Sequence, residues 1–138
     1  MINKTGLAVF ILGLLTLSAS HTEAKASFDS MNYSAVTLGA SDQITLDKTK
    51  VRRVINGKKV TLKRVSPTNL VMLYKLIGEI DLVNIHLLDA PTTRYRFDGA
   101  MLTTIEVQMG ADVFRSVSFD HDNPPYQLKP LVDYLVSL

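Results

Sequence analysis

The stretch Thr49–Val65, TKVRRVINGKKVTLKRV, narrows the possible folds more than any other part of the chain. Asn56-Gly57 separates two segments in which apolar and cationic residues alternate. Asn and Gly readily take the positive φ that both central residues of a type I′ turn require. The spacing predicts a β-hairpin with a two-residue loop, pairing Ile55 with Lys58, Arg53 with Val60 and Val51 with Leu62. On that register the apolar face meets the core. The opposite face carries Lys50, Arg52, Lys59 and Lys63, with Val54 and Thr61 among them, and is basic by construction.

Other elements follow from local patterns. YSAVTL (33–38) and QITLD (43–47) read as short strands around a Gly39-Ala40-Ser41-Asp42 turn, after a frayed start over residues 27–32. Ser66-Pro67 opens a helix, with Ser as N-cap and Pro at the first helical position. Leu70, Leu73, Tyr74, Ile77 and Ile80 recur at helical spacing, so this helix runs to about Ile80. Residues 82–88 fit either an irregular continuation or a short strand. Arg94–Phe97 reads as a short strand ahead of Asp98-Gly99. Segments 102–109 and 113–119 read as a hairpin joined by a three-residue loop, with Ile105, Val107, Met109, Val113, Val117 and Phe119 turned to the core. A final helix starts between Tyr126 and Pro130, because proline is tolerated only near a helix start. Strands, helix, strands, helix is the order of an α+β domain, an antiparallel sheet with two helices packed on it.

The first 26 residues stand apart from that domain. Lys4 precedes an apolar run, LAVFILGLLTL, and Ala24-Lys25-Ala26 fits an A-x-A cleavage site. Cleavage before His21 is a second possibility, and an uncleaved anchor a third. The run spans 11 residues, whereas a bilayer needs roughly 20. Residues 1–26 are therefore expected to be a signal peptide, and 27–138 a single domain that is periplasmic or secreted. No second long apolar segment follows, so no transmembrane segment is expected after cleavage.

Composition narrows the chemistry. The chain has no cysteine, which excludes disulfides, thiolate zinc sites, thiol catalysis and a lipid-modified N-terminal cysteine. Residues 27–64 hold eight Lys/Arg against three Asp/Glu, whereas residues 65–138 hold five against nine. The two halves thus carry opposite charge. Nucleic acid is not an expected partner, because export removes the usual target and no aromatic residues interleave with the cations.

Asp120-His121-Asp122-Asn123 is the one dense polar cluster. Read as a calcium loop of the EF-hand type, it places Pro124 and Pro125 where an oxygen ligand and glycine belong, and Leu131 where glutamate belongs. For zinc, adjacent residues at a strand end point to opposite sides, so Asp120 and Asp122 could share a side with His121 facing away, which leaves too few ligands together. The cluster is expected to be a strand-to-helix joint, and no metal or cofactor is assigned. His86 lies in an apolar stretch and is expected to be partly buried and hydrogen-bonded. Ser116 and Ser118 lack a nucleophile elbow, and no phosphate-binding glycine run is present.

The segments SPTNLVMLYKLIGEIDL, TTIEVQMGADVFRSVSFD and QLKPLVDYL together resemble an uncharacterised family of small exported bacterial domains. Those domains end in a hairpin, a "D…P" junction and an L-K-x-L-V-D-x-L helix. Leu128, Lys129, Leu131, Val132, Asp133 and Leu135 match it here, after Asp120 and Pro125. The resemblance covers residues 66–138, and the first half lacks the cysteine pair often seen there. It implies export and an α+β fold, and carries no activity. Function is accordingly expected to be non-enzymatic: a cell-envelope binding module engaging an anionic partner through Lys50, Arg52, Lys59 and Lys63. The alternatives are a solvated edge kept basic against aggregation and a small hydrolase using acids such as Asp98, Asp120 and Asp122.

Overall fold

The computed structural model describes residues 27–138; the expected signal peptide, residues 1–26, lies outside them. Strands β1 (Ser30–Thr37), β2 (Ala40–Asp47), β3 (Lys50–Ile55) and β4 (Lys59–Arg64) form an antiparallel meander. Helix α1 (Pro67–Gly78) and 3₁₀ segments over Leu82–Leu87 and Arg94–Phe97 lead into β5 (Leu102–Met109). Strands β6 (Asp112–Arg115) and β7 (Phe119–Asp120) and helix α2 (Lys129–Ser137) complete the chain. The sheet order is β4-β3-β2-β1-β5-β6, with β7 also paired to β5. This is the α+β architecture that the order of elements predicts, with the helices packed on one sheet.

Side-chain alternation decides which face the helices cover. Met31, Tyr33 and Ala35 of β1, Ile44 and Leu46 of β2, Val51 of β3, and Ile105 and Val107 of β5 are buried in one core with Leu73 and Ile77 of α1 and Leu131, Val132 and Leu135 of α2. Ser66 caps α1 by accepting the Asn69 N–H at 3.1 Å, and Pro67 is its first residue. Asn69 in turn donates to the Tyr134 hydroxyl at 3.0 Å, joining the two helices. The opposite face of β1–β3 carries Asn32, Ser34, Gln43, Thr45 and Arg52, as a face without a second apolar layer requires.

Three turns differ from the sequence expectation, each by a small change of loop length that alters pairing. The β1–β2 turn is Leu38-Gly39 rather than residues 39–42, because Gly39 takes φ +82° and lets two residues reverse the chain. Its tip residue, Leu38, is 91% exposed, contrary to what an apolar residue signals. The expected frayed start is ordered instead: Phe28 is buried edge-to-face against Tyr74, and β1 begins at Ser30.

The β3–β4 turn forms as Asn56-Gly57 predicts, with φ of 52° and 66° and an Ile55 C=O accepting from Lys58 N–H. Lys58 nevertheless joins the loop, so Ile55 pairs with Lys59, Val54 with Val60, Arg53 with Thr61, Arg52 with Leu62 and Val51 with Lys63. That is a slip of one residue on β4, which turns every β4 side chain to the other face. Pairing with β2 fixes β3 independently: Asn56 N–H donates to Ser41 C=O at 2.8 Å, and Asn56 Oδ1 accepts from Ser41 N–H at 2.8 Å. β4 lies at the sheet edge, where most of its residues are exposed on both faces and the apolar pattern sets no register.

The β5–β6 turn is Gly110-Ala111, so Val107 faces Phe114 and Val113 is exposed beside Gln108. Beyond Arg115 one extra residue enters the strand, since Glu106 pairs with Arg115 but Thr103 with Phe119. This β-bulge returns Phe119 to the core. Ser116 fills the gap: its Oγ accepts the Ile105 N–H at 2.9 Å, satisfying a buried donor that the bulge deprives of a main-chain carbonyl. Two further differences are local, a strand that is helical and a histidine, His86, that is exposed rather than partly buried, while the segment left open between helix and strand is settled. Arg94–Phe97 is a 3₁₀ helix rather than a strand, and residues 82–87 resolve as 3₁₀ with Ile85 buried and His86 exposed.

Candidate functional site

The polar cluster near the C-terminus is a structural joint. The Asp120 side chain is 0% exposed. It accepts Thr92 Oγ1–H at 2.5 Å, Arg94 N–H at 3.0 Å and Tyr95 N–H at 2.8 Å, and Arg94 Nε lies 3.3 Å away. Burial pushes its pKa up, but the Thr92 hydroxyl, the two main-chain N–H groups and the Arg94 charge outweigh burial and hold it below the usual carboxylate value. Those N–H groups open the 3₁₀ helix at Arg94–Phe97, so Asp120 is its acceptor in place of a capping side chain.

His121 pairs with Met101 twice, its N–H donating to the Met101 C=O and its Nδ1 accepting the Met101 N–H, both at 3.1 Å. Asp122 is exposed and paired with Arg94, and Asp98 sits exposed in a left-handed turn at the end of the 3₁₀ helix. Of the three acids considered for hydrolysis, Asp120 and Asp122 share the Arg94 guanidinium, and Asp98 stands apart from both. Asp120 has its oxygens occupied, Asp122 is paired with Arg94 at the surface, and Asp98 is exposed in its turn. No group of three or more His, Asp or Glu side chains gathers at metal-binding distance among the described residues.

The edge hairpin is different in kind. All eight Lys/Arg of residues 27–64 fall between Lys48 and Arg64, with no acid among those positions. Three have partners: Lys48 with Asp29, Arg53 with Asp42, and Lys63 with the Leu138 main-chain oxygen. Among the described residues, Lys50, Arg52, Lys58, Lys59 and Arg64 make no ion pair. All five are exposed.

The observed register distributes the four residues singled out from sequence over both faces of this edge. Lys50 and Arg52 lie on the open face, beside Arg64, Leu62 and Val60; Lys59 and Lys63 lie on the helix side, flanking Thr61. Lys50 stands directly opposite Arg64, rather than opposite Lys63. Like charges across strands cost some stability, and nothing on β3 or β4 relieves them. The result is a cationic edge rather than a cationic face. Lys58 and Arg64 belong to it and escaped the sequence reading. The unbroken run of cations without an acid was the signal that contained them.

Beneath the helix side of the hairpin lies a cleft of about 130 Å³, lined by Val51, Arg53, Lys59, Lys63, Leu135 and Leu138 among others. Arg53 forms its rigid wall. It donates to Asp42 through Nε at 2.8 Å and Nη2 at 2.6 Å, and through Nη1 to the Val136 C=O at 2.9 Å. The Asp42 hydrogen bond raises the Arg53 pKa further, against the opposing effect of burial. Tyr33, buried nearby, has its phenol pushed up by burial first and by the Asp42 charge second. Arg53 is thus committed to holding α2 on the sheet, while Lys59 is free at the rim.

The turns next to the hairpin are fixed by acids of the first half. Asp47 accepts Thr49 Oγ1–H at 2.6 Å, Thr49 N–H at 2.7 Å and Lys50 N–H at 2.9 Å, which hold it below the usual range and close the β2–β3 turn. Asp29 is lowered by the Gly110 N–H and then by Lys48. The acids near the basic run are therefore occupied by turns, by Lys48 and by the part-buried Arg53, leaving the edge itself uncompensated. No helix among the described residues is long and apolar enough to cross a membrane. No protein-family model, curated protein or solved structure matches the chain.

Proposed function

We propose that this chain is an exported, non-enzymatic binding module of the cell envelope, and that its β3–β4 edge hairpin holds an anionic partner. The observation that carries the reading is the set of five exposed cations without ion pairs on one sheet edge, Lys50, Arg52, Lys58, Lys59 and Arg64. Such an edge attracts anions over about one Debye length, and the attraction falls steeply with ionic strength. Export rests on the N-terminal pattern of residues 1–26, and the resemblance of the second half to exported domains agrees with it.

A solvated anti-aggregation edge needs only charged side chains on the edge strand itself. It would not require like charges at Lys50 and Arg64 to face each other. The hydrolase alternative gains no support from the geometry, since Asp120 is enclosed and Asp98 and Asp122 lie on exposed surface.

Binding of poly-L-glutamate tests the proposal. The wild-type protein should bind it at low salt and release it as salt rises. Replacing Lys50, Arg52, Lys59 and Lys63 together with Glu should weaken binding at least about tenfold and flatten the salt dependence, because attraction becomes repulsion at the encounter. Equal affinity in the two proteins, each shown folded by its thermal transition, would contradict the proposal.

A further inference from the structure

Resting on the binding role of the hairpin, we infer that the partner is an extended, acidic protein segment that adds to the sheet as a new antiparallel strand along β4. The main-chain pattern of this edge carries the inference. Asn56 N–H donates to Ser41 of β2, whereas Val65 N–H donates to Thr49 on the β3 side. Main-chain groups alternate along an antiparallel ladder. Lys59, Thr61 and Lys63 therefore bond to β3, and the N–H and C=O groups of Val60, Leu62 and Arg64 point outward from the last strand of the sheet.

Side chains on this strand select the occupant. On the open face Val60 and Leu62 are 53% and 64% exposed, an apolar pair beside Arg64, Arg52 and Lys50. On the helix side Lys59 and Lys63 flank Thr61. A strand laid against β4 would place alternate residues on the two faces. Opposite Val60 and Leu62 it needs apolar side chains. Opposite Lys59, Thr61, Lys63 and Arg64 it needs acids. Read antiparallel, the complementary segment is Glu-Glu-Ile-Glu-Val-Glu. A second copy of this chain is a poorer occupant, because β4 against β4 centred on Thr61 sets Lys59 against Lys63, and in any register it brings the uncompensated cations of two hairpins together with no acid between them. Main-chain bonds would give affinity and the alternate side chains specificity, the usual division in strand addition.

The test uses the folded protein and three forms of that hexapeptide, acetylated and amidated. One is unmodified, one is N-methylated at the residues whose N–H groups face β4, and one at the residues whose N–H groups face away. The unmodified form and the form methylated on the outer side should bind alike. Methylation on the β4 side should weaken binding about tenfold or more, because the main-chain hydrogen bonds to the edge are lost. In the complex, amide exchange at Val60, Leu62 and Arg64 should slow, while that of Lys59, Thr61 and Lys63 stays as it was. Salt-sensitive binding that ignores both methylations and protects none of these amides would overturn strand addition while leaving the anionic-partner reading intact. Tighter binding to vesicles containing an anionic phospholipid than to the peptide would also overturn it. Binding of the unmodified peptide unchanged by the fourfold charge reversal would instead count against the binding reading itself.

Discussion

Asp120→Ala should cost about 2–5 kcal/mol of stability, since each buried donor left without an acceptor costs about 1–3 kcal/mol and three lose theirs. The carboxylate satisfies a hydroxyl and two main-chain N–H groups in a site that solvent does not reach. Its loss leaves those donors unpaired and releases the 3₁₀ turn at Arg94–Phe97 from the strand that precedes α2. Asp120→Asn should recover part of the loss, since its amide oxygen still accepts while its NH₂ opposes the same donors. Acid adds a second signature. The folded-state pKa of Asp120 is depressed, so its contribution is fully present above the ordinary value of 3.8 and is lost as pH falls through the lower folded value. The stability difference between wild type and Asp120→Asn should therefore be constant near neutrality and shrink at acid pH. Urea unfolding at several pH values measures it, and a difference that widens on acidification would show that Asp120 is not held as described.

Leu135→Ala should cost about 2–5 kcal/mol, the range for emptying a buried leucine site that relaxes incompletely. Leu135 is buried where α2 meets Ile44 and Val51, and it also floors the cleft under the hairpin. The substitution thus separates two uses of one region. It enlarges the cleft, whose rim holds Lys59, without replacing any cation of the edge and away from Lys50, Arg52, Lys58 and Arg64. Stability should fall while affinity for poly-L-glutamate stays within about twofold, because every cation of the edge is kept and most of them lie outside the cleft. A parallel loss of affinity would place binding in the cleft instead of along the edge.

Periodicity and caps made the coarse fold legible. Ser66-Pro67 and the leucine spacing located α1, and Pro130 bounded the start of α2, which begins at Lys129. Asn56-Gly57 located the turn it was expected to locate. Register was not legible where burial does not enforce it. β4 runs past the helical layer, so Lys59, Thr61 and Lys63 could take the helix side without exposing a stripe that the core required. In the second hairpin the strand reads as continuous from 113 to 119, yet a bulge stabilised by one serine hydroxyl resets it, and no pattern of apolar residues reports that bond. The same limits applied to the site. The charge of the hairpin was plain, but its division over two faces, and the role of Lys58 and Arg64, depended on a single-residue slip.

The most direct test of the cationic edge is an NMR titration of the isotope-labelled domain, residues 27–138, with the acidic hexapeptide. Backbone amide shifts should concentrate between Lys48 and Val65, be largest along β4, and fade as salt is added. Shifts centred on Arg94, Asp120 and Asp122, or spread evenly over the surface, would contradict an edge that binds.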